Sequence, residues 1–323
     1  MTLFRWIAIF LALLSVSSVH AQILLETPPP APGKMVDIGG RKLHLHCTGS
    51  GTPAVIVENG ASSFSIDWAL VQADVAKRTR ICTYDRAGFA WSDRGPTLNT
   101  VEETVDDLHL LLRTAAIRPP YVLVGESIGG MFVRAFQRRY PAEVAGLVVV
   151  DATPEEDLEY LVNGKSTPGV KMTYDQMEAV YAPLLKNPPP PRELPAAIEA
   201  PYDRLPKDLQ EAHLWAARRL ASRAEMPHAW ITAESWRQEF FALRKRRLEK
   251  LHALDDLPLV VLARGKGTND LLRKREHDLV ALSSAGKEVI ATESDREIFL
   301  YQPDLVSKAI RDTIDAVSRR RAR

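Results

Sequence analysis

The stretch Gly125-Glu126-Ser127-Ile128-Gly129-Gly130 carries the clearest chemical meaning in the chain. A serine hydroxyl serves as a nucleophile when a sharp turn lifts it clear of the backbone. Glycines two residues before and two after it, Gly125 and Gly129, leave room for that turn. Ahead of it, Tyr121-Val122-Leu123-Val124 is an apolar run suited to a buried strand. Behind it, Met131, Phe132, Ala135 and Phe136 repeat at helical spacing. A helix starting beneath Ser127 would favour the negative charge that develops during acyl transfer. That chemistry also needs two backbone N–H groups aimed at the oxyanion. Ile128 follows Ser127 and supplies one; the turn Asn59-Gly60-Ala61, after Val55-Ile56-Val57-Glu58, offers Ala61 as the other.

Other short apolar runs must hold these turns in place. Strands are predicted at 35–38, 42–47, 54–57, 80–84, 121–124, 146–150, 257–262 and 288–291. Several are continuous Val/Ile/Leu runs, the pattern of strands buried on both faces. The run 42–47 alternates Leu43 and Leu45 with His44 and His46, which predicts a half-exposed strand near an edge. Thr100-Val101-Glu102-Glu103 opens a helix to about Ala116, and Pro303 opens another through Val306, Ile310 and Ile314. Strands alternating with helices imply an α/β, mostly parallel, doubly wound sheet. Between about Thr153 and Pro227 no strand signal is read, proline breaks the chain at 188–191, and aromatics are scattered. This predicts a core over 35–152, a helical insertion over 153–230 covering the sheet's carboxyl ends, and a returning core over 231–323.

The 42 Lys and Arg balance 41 Asp and Glu, so no long-range pull toward nucleic acid or an anionic membrane is expected. The basic runs 244–247 and 319–321 read as solvated helix faces. Met1–Ala21 has one positive charge, an apolar centre and a small-residue end, the three-part pattern of a secretory signal cleaved near Ala21. Its apolar centre, Trp6–Leu14, is well short of the roughly 20 residues that span a bilayer. The chain is therefore expected to be exported, periplasmic or secreted, without stable membrane insertion, and a proline-rich lead-in at 22–34 follows. In an oxidising compartment Cys47 and Cys82 read as a disulfide, the alternative being two buried thiols. His44 and His46 lack the companions a zinc site requires, and neither metal nor cofactor is expected.

Tyr84-Asp85-Arg86-Ala87-Gly88-Phe89-Ala90-Trp91-Ser92-Asp93 resembles the turn after the fourth strand of α/β-hydrolases. With Asn59-Gly60, Gly125–Gly130 and Gln302-Pro303-Asp304-Leu305-Val306, the chain from about Met35 resembles the serine-hydrolase, esterase- or lipase-like branch of that superfamily. The resemblance implies an eight-stranded sheet ordered 1-2-4-3-5-6-7-8 with a cap after strand 6. That order makes strands 2 and 4 neighbours and so brings Cys47 to Cys82. It also implies a catalytic histidine after the last strand, where this sequence reads Glu293-Ser294-Asp295-Arg296. Arg296 stands in the histidine slot, and a guanidinium, fully charged at neutral pH, accepts no proton. The other histidines, at 44, 46, 109, 213, 228, 252 and 277, read as surface or packing residues. Two residues are candidates for the triad acid: Asp151, ending strand 6, and Asp270, after strand 7. Each also has a structural reading, Asp151 in a turn and Asp270 as a helix cap.

The leading expectation is hydrolysis of an ester or related acyl bond of a small molecule through Ser127, impaired by Arg296. A serine nucleophile argues against the aspartate-dependent dehalogenases and epoxide hydrolases of the superfamily. The alternative is a non-catalytic protein of the same fold that binds a small, anionic ligand or a protein partner, with Arg296 as the fixed charge. A third reading keeps the chemistry with another base, such as Asp295 or Glu126.

Overall fold

The computed structural model describes residues 27–96, 99–156, 159–162, 165–187, 195–221 and 226–322. The expected signal segment, and the first part of the lead-in to residue 26, lie outside the described residues. Eight strands form one sheet: β1 (Lys34–Asp37), β2 (Lys42–Thr48), β3 (Ala54–Glu58), β4 (Ile81–Tyr84), β5 (Tyr121–Glu126), β6 (Val144–Val150), β9 (Leu259–Arg264) and β10 (Gly286–Ala291). Their spatial order is β1-β2-β4-β3-β5-β6-β9-β10, with β1–β2 and β2–β4 antiparallel and the remaining pairs parallel. This is the order implied by the resemblance.

Side-chain alternation splits the core into two layers. Val55, Val57, Val122 and Val124 face α1 (Ala69–Val75) and α9 (Pro303–Arg321), packing with Val71, Ile310 and Ile314. Ile56 and Leu123 face the other way, toward α2 (Val101–Thr114) and α3 (Gly129–Arg139), which contribute Leu108, Leu111, Phe132 and Phe136. The Thr100 hydroxyl accepts the Glu103 N–H and so caps α2 at its predicted start.

Two expectations need correction. The segment after β6 contains an antiparallel hairpin, β7 (Glu159–Val162) with β8 (Lys165–Pro168), where no strand was expected. It is followed by α4 (Tyr174–Lys186), α5 (Lys207–Ala221) and α6 (Met226–Glu249). The last of these runs unbroken across residue 230, the expected boundary, and sends Phe240 and Leu243 into the main core. The second correction concerns β2, which lies one strand in from the edge; His44 on it is fully buried. Its Nδ1 sits 2.7 Å from Asp85 Oδ2 and 3.1 Å from Ser65 Oγ, so polar partners, absent from a simple alternation argument, allow the imidazole inside. No helix among the described residues is long and apolar enough to cross a membrane.

Cys47 and Cys82 are register partners on β2 and β4 and are joined by a disulfide, 35 residues apart in sequence. Loop-closure entropy for that separation amounts to about 3–4 kcal/mol. The Cys47→Ala/Cys82→Ala double variant should lose roughly that much in urea unfolding, with a steeper slope because the unlinked denatured chain exposes more surface.

Candidate active site

Ser127 follows directly on β5 and precedes the N-cap residue Ile128 of α3, held at φ 52° in the left-handed region that non-glycine side chains rarely adopt. Its N–H donates to the Val150 carbonyl and its own carbonyl accepts from Thr153, which ties the turn to the end of β6. The flanking glycines are required by contact. A Cβ on Gly125 would come within 2.5 Å of the Gly129 carbonyl oxygen, and one on Gly129 would run into the backbone oxygens of Glu58 and Asn59. Gly129→Ala should therefore force α3 away from β3 and cost about 1–3 kcal/mol, readable as a lowered melting temperature.

The turn after β3 is held by a buried arginine. Arg86 is clamped by Glu58 at 2.7 Å and stacks over the rings of Phe89 and Phe132. Its guanidinium donates to the carbonyl of Asn59 at 2.6 Å and also to that of Gly60. Trans peptide planes point each N–H opposite the preceding carbonyl. Fixing these two carbonyls thus turns the N–H groups of Gly60 and Ala61 away from Arg86. The Gly60 N–H meets Glu126 Oε2 at 2.6 Å. Among the described residues neither the Ala61 nor the Ile128 N–H has an acceptor.

Glu126 is buried, takes a further hydrogen bond from the Ser63 hydroxyl at 2.9 Å, and is pushed up to about 7. Burial is the main cause, with the charges of Asp151 and Glu297 adding to it against the two hydrogen bonds. Ser63 also bonds Tyr202, whose ring stacks on His213 at 3.9 Å.

On its other side Ser127 opens, half-buried, into a cavity of about 430 Å³ that it lines with Asp151, Arg264, Arg275, Glu276 and Arg296. The β5–β6 register pairs Glu126 with Val150, so Ser127 and Asp151 stand side by side at the carboxyl ends of neighbouring strands. Asp151 is itself left-handed, at φ 46°. Its carboxyl lies 3.2 Å from the Arg264 guanidinium and hydrogen-bonds Glu276 of α7 (Asp270–Asp278). Burial pushes it up to about 6, against the pull of Arg264, Glu276 and Arg296.

The two acid candidates therefore part. Asp151 shares the cavity with Ser127, whereas Asp270 is the exposed first residue of α7 and does not line it. The cap of that helix is Asn269, whose side chain accepts the Leu272 N–H at 2.9 Å. Arg296 lines the cavity but has no carboxylate within ion-pair distance among the described residues; Arg264 takes that place against Asp151. Arg264 is equally 3.6 Å from Asp295.

No described histidine side chain lines this cavity. His213 Nδ1 is 2.7 Å from buried Asp67, which ties α5 to the turn Ser65–Trp68. His109 stacks on Tyr140, while His277 and His252 pair with Glu288 and the Ala281 carbonyl. The side chain of His228 lies outside the described residues. Among the described residues, no group of three or more His, Cys, Asp or Glu is disposed to hold a metal.

A family model described as alpha/beta hydrolase fold matches residues 53–182. A Hormonema carpetanum protein named "Probable transporter efuK" is 34% identical over 131 residues, covering 38% of this chain and 18% of that protein. A 2-hydroxy-6-oxo-2,4-heptadienoate hydrolase of Pseudomonas putida is 31% identical over 123 residues, 37% of this chain and 44% of the other. The chain thus spans less than half the length of either relative. A thermophilic esterase from Thermogutta terrifontis superposes with a TM-score of 0.62 at 21% identity, over 89% of this chain and 99% of the esterase, a likeness of fold. With its strand order and glycine-flanked turn, the chain has the α/β-hydrolase fold, and its residues 53–182 match the model of that family.

Proposed function

We propose that this protein hydrolyses an ester or related acyl bond of a small molecule, with Ser127 as nucleophile and the Ala61 and Ile128 amides as oxyanion donors. The observation that carries the reading is Ser127 at φ 52° on the wall of a 430 Å³ cavity; the Ala61 and Ile128 N–H groups, off that wall, have no acceptor among the described residues. Attack by the hydroxyl would place negative charge on the substrate oxygen, and backbone donors oriented beforehand stabilise it without reorganisation. Arg296 in the histidine slot makes turnover slow, because one proton acceptor of the usual triad is replaced by a group that accepts none. The disulfide and the leader-like first 21 residues support export to the periplasm or medium.

The second reading is ligand binding without turnover, favoured by one feature: Arg296 on the cavity wall, with no carboxylate at ion-pair distance among the described residues, suits an anionic group. Incubation with a fluorophosphonate separates the two. The hydrolase reading expects stoichiometric modification mapped to Ser127; intact protein after prolonged exposure, or modification elsewhere only, would sink it.

A further inference from the structure

With no described histidine on the cavity and an arginine unable to accept protons, the hydroxyl of Ser127 still needs somewhere to send its proton. We infer that Asp151, oriented by Glu276 and Arg264, is the general base for Ser127; the inference rests on the hydrolase reading above. Strand register sets Ser127 and Asp151 next to one another, and their backbones are tied by the Ser127 N–H to the Val150 carbonyl and the Thr153 N–H to the Ser127 carbonyl. Both residues line the same cavity. Glu276, only 1% exposed although it sits on a strongly charged helix, lines the cavity with Asp151 and holds that carboxyl's pKa down against burial. Arg264, also buried, meets it from β9. A carboxylate held by one acidic and one guanidinium neighbour is fixed in orientation, as a triad fixes its imidazole.

The charges around Asp151 come from several elements, with Arg275 of α7 and Glu159 of β7 on the wall of the same cavity. Arg264 ends β9 and Glu276 lies on α7, Asp295, Arg296 and Glu297 come from the loop after β10, and Glu126 ends β5. Glu126 is the other buried carboxyl beside Ser127, but its oxygen is taken by Gly60 and Ser63 on the far side of the turn, and it does not line the cavity. Of the two buried carboxyls that flank the serine turn, Asp151 is the one on the cavity wall.

The step balances with the groups present. As the Ser127 oxygen bonds the acyl carbon, its proton passes to the Asp151 carboxylate and the carbonyl electron pair moves onto oxygen. Collapse of that oxyanion expels the alcohol, which takes the proton from Asp151. Water then gives a proton to the same carboxylate as it attacks the acyl-enzyme. The carboxylic acid leaves, and Ser127 recovers its proton from Asp151.

The test is the rate of Ser127 modification by a fluorophosphonate, followed against pH in the full chain. The rate should rise with pH through an inflection near 6, where Asp151 ionises, and then hold level. The midpoint should be insensitive to temperature, since carboxyl ionisation is nearly athermal; a midpoint that falls on warming would mark an imidazole and overturn the proposal without any variant. Asp151→Asn should modify about a hundredfold more slowly with no inflection, while Asp151→Glu should keep the inflection at a reduced rate. Glu276→Gln retains a donor to Asp151, so its midpoint should lie below that of Glu276→Ala. Asp151→Asn reacting as fast as the parent, or loss of the inflection in Glu126→Gln instead, overturns the inference and leaves the hydrolase reading standing. A parent chain unmodified at Ser127 at every pH removes both.

Discussion

Ser127→Ala should lower ester turnover by at least about a thousandfold against the parent chain, measured with an activated short-chain ester. Where a full serine triad operates, deleting the serine costs on the order of a millionfold, and what remains comes from binding and the oxyanion donors. Here the loss starts from a slower parent, so the ratio is smaller. The alanine still adopts the turn, and the Ala61 and Ile128 amides keep their places because Arg86 holds the first through Gly60. Turnover unchanged in the variant would mean that any esterase activity arises elsewhere on the surface. Circular dichroism and melting temperature should match the parent, which separates lost chemistry from lost fold.

Arg296→His should move turnover in the opposite direction, by a factor on the order of ten to a thousand. Residue 296 lines the cavity together with Ser127 and Asp151, so an imidazole there would have the serine on one side and a carboxylate on the other. The gain should fall short of a full triad, because Arg264 already occupies Asp151 at 3.2 Å and competes for it. Arg296→Ala removes the same positive charge without adding an acceptor and should bring no comparable gain. The histidine variant should also acquire an inflection near the unperturbed imidazole value of about 6.5, one that shifts with temperature. Equal rates in parent and histidine variant would show that position 296 does not face the hydroxyl.

The strands of the main sheet were legible because several are short runs of Val, Ile and Leu. Their order was not in the runs themselves; it came with the resemblance carried by residues 84–93 and 125–130. The hairpin at 159–168 was missed although Asn163-Gly164, which lies outside the described residues, is a dipeptide that favours such turns. Ser127, Gly125 and Gly129 could be named from spacing alone, since a strained turn leaves a local signature. The surroundings of Ser127 leave none. Glu276 reads as part of a solvated charged face, Arg264 as the end of an apolar strand, and Arg86 as one residue of a turn. Their roles arise from contacts between residues 26 to 125 positions apart, which no window of sequence displays. For the same reason the sequence leans only slightly to Asp151 over Asp270, and burial and register separate them.

Ser127 and Asp151 on the cavity wall, and Glu297 next to Arg296, keep left-handed backbones at φ 52°, 46° and 36°. Each such residue weighs on the folded state by about 1–3 kcal/mol. A chain relieved of chemistry has an easy escape from that load, because Ser127→Gly relaxes the turn in one codon change and should raise the melting temperature. Stability alone therefore favours glycine at this position. Screening variants for thermal stability would select against this site first, so any stabilised form of the protein should be checked for a surviving hydroxyl at 127 before its activity is judged.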